Sequence, residues 1–167
     1  YKVTFVSADS AKAIITNSQT LDAGTTITAI PAVTYTAGYT FKEWRIGETA
    51  YASDEALKAV EINSDTIVTL VAKDDSYTAT LTGGAAAEIT DITGLTDGQA
   101  VHGTAITFKL TAKTGYKVTA VAYQINGGAA VTLEPANGVY TIPGTAITGP
   151  VTLQLTSNET VTVTFAA

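Results

Sequence analysis

Apolar and polar residues alternate along most of this chain. A period of two restricts the backbone strongly, because only an extended strand sends successive side chains to opposite faces. Ile106, Phe108 and Leu110 share one face of such a stretch, with Thr107, Lys109 and Thr111 on the other. Val151, Leu153 and Leu155 oppose Thr152, Gln154 and Thr156 in the same way. Thr, Val and Ile fill these stretches and favour half-buried strands. The expected fold class is therefore all-β, built from antiparallel sheets with one wet face. Turn chemistry fits this reading. Asp97-Gly98, Asn126-Gly127-Gly128 and Asn137-Gly138 supply residues that tolerate the positive φ of tight hairpins. One short helix is expected, with Ser53 capping Asp54, Glu55, Ala56 and Leu57.

The landmarks recur in the same order. Tyr1-Lys-Val-Thr-Phe5 and Tyr77-Thr-Ala-Thr-Leu81 open two units, and Gly24-Thr-Thr-Ile-Thr28 and Gly103-Thr-Ala-Ile-Thr107 follow. Gly38-Tyr39 and Gly115-Tyr116 come next, and Val68-Thr-Leu70 and Val151-Thr-Leu153 close each unit. Recurrence at this scale predicts two tandem small β modules, residues 1–74 and 75–167. The alternation phases place Phe5, Ile27, Phe41 and Trp44 in the first core. They place Leu81, Ile106, Phe108, Val118, Leu153 and Leu155 in the second.

Gly38-Tyr-Thr-Phe-Lys-Glu-Trp44, after a strand and a Thr-rich loop, resembles the Listeria–Bacteroides surface repeat, the type also seen in internalin B-repeats. The resemblance covers most of residues 1–74 and implies a β-grasp-like module with Trp44 in its core. The family usually carries Gly before this Trp, a residue suited to a β-bulge, whereas Glu43 stands here. Residues 75–167 share the landmarks. Their Asn137-Gly-Val-Tyr-Thr-Ile-Pro143 and Gly149-Pro-Val-Thr-Leu153 look more like the sandwich-type repeats of related bacterial surface proteins. The resemblance thus implies a secreted, extracellular structural protein of a bacterial cell surface.

Composition narrows the function further. Nine Lys and Arg stand against fifteen Asp and Glu, for a net charge of −6, and no cations cluster as a phosphate-binding surface requires. Nucleic acid is not an expected partner. No apolar run approaches the ~20 residues of a membrane-crossing helix, so membrane insertion is not expected either. No charged-then-apolar leader opens the sequence, and any signal peptide is expected to lie outside it. Cysteine is absent, which removes disulfides, thiolate metal sites and thiol nucleophiles, and methionine is absent too.

Enzymatic chemistry finds few candidates, and no cofactor is expected. The one histidine, His102, reads as an exposed loop residue without a Gly-x-Ser-x-Gly partner. Asp54 and Glu55 read as helix first-turn acids, Asp74 and Asp75 as a solvated linker, and Asp91 and Asp97 as turn formers. Calcium at Asp91 and Asp97 lacks EF-hand spacing. An isopeptide crosslink from Lys2 or Lys109 lacks an asparagine outside a turn context. The expectation is a non-catalytic stalk, surface-layer or fibre unit. The alternative is an adhesion or carbohydrate-binding module, with Trp44, Tyr39 and Tyr51 as a glycan platform. Core and platform are competing places for Trp44, and a module of about 70 residues favours the core.

The last strand pattern places Val161, Val163 and Phe165 on one face with Thr160, Thr162 and Thr164 on the other. Three readings compete for it. A hairpin across Ser157-Asn158-Glu159 leads, because strands adjacent in sequence most often pair. The strand otherwise opens a following module, or it pairs with the next copy of the chain and builds a head-to-tail fibre.

Overall fold

A computed structural model describes residues 1–15 and 17–160. It is nearly all β, and the chain divides into two compact units, Tyr1–Asp74 and Asp75–Ala167. The pattern of Val161, Val163 and Phe165 lies outside the described residues.

The first unit contains β1 (Lys2–Ser7), β2 (Ala13–Ile14), β3 (Asn17–Thr20), β4 (Thr25–Thr26), β5 (Thr34–Tyr35), β6 (Tyr39–Ile46), β7 (Thr49–Tyr51), α1 (Asp54–Lys58), β8 (Glu61–Ile62) and β9 (Thr66–Asp74). Five of these strands form one sheet in the order β3-β1-β9-β6-β7, while β2 with β5 and β4 with β8 make two short ribbons. The sheet is not wholly antiparallel, as the alternation alone suggested. β1 and β9 run parallel through five residue pairs, Val3↔Thr66 to Ser7↔Leu70. Parallel neighbours need a long connection between them, and the whole unit lies between these two. With the first and last strands parallel at its centre, the sheet has the strand order of a β-grasp.

The sheet's inner face closes on a core of Val3, Phe5, Ile27, Trp44, Leu57, Ile62, Val68 and Leu70, all buried. Phe41 packs against it, partly buried. α1 contributes Leu57, and it starts where Ser53 Oγ accepts the Ala56 N–H at 3.2 Å. This hydroxyl satisfies one of the amide donors that a helix start leaves without an intrahelical partner. A bulge interrupts the β6–β9 ladder between Phe41 and Glu43. It forms without glycine, and Glu43 accepts from Arg45 Nε at 2.6 Å on the same strand. The extra residue lets Phe41 and Trp44 both reach the core despite their odd spacing.

The second unit contains β10 (Ser76–Thr80), β11 (Ala87–Thr93), β12 (Leu95–Thr96), β13 (Gln99–Val101), β14 (Ile106–Ala112), β15 (Tyr116–Ile125), β16 (Val131–Thr132), β17 (Val139–Ile142) and β18 (Val151–Glu159). One sheet has the order β12-β13-β10-β18-β15-β16 and another the order β11-β14-β17. Ile106, Phe108 and Ile142 from the smaller sheet share a core with Val121, Tyr123, Val151 and Leu153 from the larger. That makes a sandwich-like pair of layers. Leu81, Val118 and Leu155 pack against this core, partly buried. The Asp97-Gly98 and Asn137-Gly138 turns hold φ of 49° and 75°, and of 52° and 77°. Two successive positive φ values twist a two-residue turn to match its strands.

Here too the first strand and the last among the described residues, β10 and β18, are parallel, at Ala79↔Val151 and Thr80↔Thr152. β15 then pairs antiparallel with β18 from Tyr116↔Glu159 to Ile125↔Val151, with a bulge between Val118 and Ala120. This corrects the hairpin expected across Ser157-Asn158-Glu159. These three residues are strand, opposite Val118, Lys117 and Tyr116, and the Thr160 N–H goes on to donate to Gly115 O at 2.8 Å. The polar trio reads as a turn by composition. In the fold its backbone groups are held by β15, and continuous pairing outweighs local turn preference.

Candidate functional site

A cleft of about 490 Å³ lies in the first unit. It is lined by Ile30, Pro31, Val33, Phe41 and Trp44, together with Tyr35 and the Ser53–Glu55 segment. Each part is placed by a simple local cause. Pro31 cannot continue a central strand ladder, and the connection from Ile27 to Val33 runs without regular structure over the core. Tyr35 is held by the β2–β5 ribbon, opposite Ala13. Asp54 and Glu55 sit where Ser53 starts α1.

Two acids and a phenol thus share one cleft with apolar side chains. The Trp44 indole N–H donates to Asp54 Oδ1 at 2.7 Å, which fixes the carboxylate and satisfies a donor that burial would otherwise orphan. Among the described residues, Asp54 Oδ2 has no hydrogen-bond partner. Burial pushes the Tyr35 phenol above its usual range, and the Asp54 charge adds to the effect, so Tyr35 remains a hydroxyl donor at neutral pH. Glu55 is held below the usual carboxylate range by its own backbone amide first, then by the Ser53 hydroxyl.

Trp44 takes the core place favoured for it, and the alternative glycan platform does not assemble around it. Trp44 is only 1% exposed, with the Phe5 ring edge-on at 5.9 Å and the Phe41 ring tilted against it at 5.7 Å. Its faces are therefore occupied by protein and offer no sugar-stacking surface. Tyr51 is directly opposite Trp44 in the β6–β7 hairpin and packs against the same core. Tyr39 begins β6, and Lys12 Nζ lies 5.0 Å from its ring centroid, held there by Asp74 at 3.2 Å. The cation over its ring competes with any ligand for that face.

Other expectations change as well. His102 is buried, at 8% exposure, rather than exposed, and its Nδ1 lies 2.7 Å from Ile147 O. Its backbone N–H donates to Asp75 O. Asp75 Oδ2 accepts from the Tyr77 hydroxyl at 3.1 Å, so Asp75 is part of the second unit's bonding and not a bare linker. Asp97 takes the positive φ expected of a turn residue, whereas Asp91, also at positive φ, lies not in a turn but in β11, where the ladder to β14 is irregular between Thr90 and Thr93. Asp91 pairs with Lys109 at 2.8 Å, an exposed contact worth little in water. No group of three or more His, Asp or Glu converges as a metal site among the described residues.

Sequence reasoning found Asp54 and Glu55 only as helix-start acids, and it did not bring Tyr35, Ile30 or Val33 to them. These residues come from two separate stretches of chain, 30–35 and 54–55, and no spacing along the chain records their meeting. Comparison with known proteins finds no matching family model, no matching curated protein and no matching solved structure.

Proposed function

We propose that this chain is a non-catalytic pair of structural modules from a secreted bacterial surface protein, serving as a stalk, surface-layer or fibre unit. One observation carries the reading. The order β3-β1-β9-β6-β7 of the first unit recurs as β13-β10-β18-β15-β16 in the second, each with a parallel first and last strand and a bulge in its long strand. The landmarks fall at matching places: Tyr39 and Tyr116 begin the long strands, and Val68 and Val151 lie in the closing strands. A single residue, Asp75, joins the last strand of one unit to the first of the next. Modules joined this directly suit an array in which each stabilises by its own core. The resemblance to Listeria–Bacteroides surface repeats and the low charge support the same reading.

Pulling the chain by its two ends tests the mechanical role. Two separate unfolding events are expected, releasing up to roughly 27 and 33 nm of chain at about 3.6 Å per residue. A single gradual extension at low force overturns a load-bearing role. Antibodies against the chain should label intact cells, and labelling only after lysis overturns the surface assignment. The acid-rimmed cleft of the first unit favours a second reading, an adhesion module. Saturable retention of glycans by the full chain would move the function to the carbohydrate-binding form of that reading.

A further inference from the structure

We infer that the cleft of the first unit is a docking site for a lysine or arginine side chain of a partner protein. The inference does not depend on the stalk reading, because it rests on the cleft alone. Its volume of about 490 Å³ lies within the ~300–1,000 Å³ of ordinary ligand clefts.

Charge complementarity selects the occupant. The lining carries two acids, Asp54 and Glu55, and no cation. Anionic ligands are repelled there, and a cationic head is attracted. The apolar lining, Ile30, Val33 and Phe41, suits the methylene stem of a long basic side chain, which packs on apolar surface while its head reaches charge. Asp54 is already oriented, because Trp44 donates to one carboxylate oxygen, and among the described residues the other has no hydrogen-bond partner. A carboxylate fixed before binding loses little freedom on binding. Bidentate recognition by a guanidinium adds geometric selection to charge.

A neutral glycan fits less well. Sugar recognition uses an open aromatic face, and Trp44 is buried, packed against Phe5 and Phe41, and offers none. A bare calcium ion also fits poorly, since it takes about 6–8 oxygen ligands and this cleft supplies two carboxylates.

Titration of the isotopically labelled full chain tests the inference by NMR. The probes are the peptides acetyl-Val-Arg-Val-amide and acetyl-Val-Glu-Val-amide and the neutral sugar chitotriose. The arginine peptide should shift the Trp44 indole N–H and the amides of Tyr35 and Ser53 to Glu55, saturably, while the glutamate peptide leaves them unmoved. Asp54→Asn keeps an oxygen for the indole N–H, so it preserves the fold. Together with Glu55→Gln it should weaken the arginine peptide about tenfold, as loss of charge-assisted hydrogen bonds predicts. Should the double variant misfold, the salt dependence of the unaltered protein decides instead. Affinity must fall as added salt shortens the screening length to about 8 Å at physiological ionic strength. Equal shifts from both peptides, absent shifts at the cleft, or salt-independent affinity overturn the proposal. Saturable shifts from chitotriose without any from the arginine peptide overturn it in favour of a glycan site.

Discussion

Trp44 illustrates how one residue serves two ends in a small domain. Its rings fill the first core between Phe5 and Phe41, and its single polar atom leaves that core by donating to Asp54. Replacing it with Ala should destabilise the first unit by about 3–5 kcal/mol, the usual cost of truncating a buried aromatic. Chemical denaturation followed by circular dichroism measures this, and a wild-type midpoint would return Trp44 to the surface. Asp54→Ala separates the polar part of that role. It leaves the indole N–H without its acceptor and should cost about 1–3 kcal/mol, whereas Asp54→Asn should cost less. Ser53→Ala removes the helix cap and should cost about 1 kcal/mol. Acid adds a further check at Glu55, whose carboxyl sits below its ordinary range in the folded state. A depressed carboxylate contributes stability above its unfolded pKa, and that contribution is lost as pH falls through the folded value. Helix α1 should therefore loosen on acidification below the usual carboxylate range, and less so in Glu55→Gln. Amide exchange of residues 56–59 across that range reads the difference.

Elements show where pairing overrides local preference. Ser157, Asn158 and Glu159 have turn-like composition, yet each lies in β18 opposite a residue of β15. β18 is the spine of its sheet, parallel to β10 on one side and antiparallel to β15 on the other. Leu153, buried in that strand, should cost about 2–5 kcal/mol when cut to Ala. Ser157→Pro tests the pairing itself. Proline removes a donor and is excluded from paired strand interiors, so the variant should destabilise the second unit clearly. A turn at this position would accept it with little change in the thermal midpoint. The bulge in β6 carries the complementary lesson. Composition ties bulges to glycine, but here Lys42 supplies the extra residue and Glu43 follows it. What places the bulge is that Phe41 and Trp44 must both face the core.

At the scale of the whole chain, each unit has its own set of buried residues, one centred on Phe5 and Trp44 and one on Phe108 and Tyr123. Phe108→Ala should therefore unfold the second unit at lower denaturant while Trp44, the only tryptophan, still reports a folded first unit. Simultaneous loss of tryptophan emission and of the second unit's amide signals would show one cooperative core instead. The all-β class, the Asp97-Gly98 and Asn137-Gly138 turns, the Ser53 cap and the core places of Phe5, Ile27, Trp44, Ile106, Phe108 and Leu153 were legible in the sequence. These depend on period, on φ tolerance and on side-chain oxygens next to amides, all of which are local. Three features were decided only by the tertiary structure: the parallel pairing of first and last strands, the burial of His102 beneath Ile147 O, and the convergence of Tyr35 with Asp54 and Glu55. Each joins residues distant along the chain, so nothing in their local spacing encodes it. The sequence by itself determined which backbone shapes were available. Packing determined which of them met, because burying two apolar faces against each other stabilises more than any local preference of a turn or a loop.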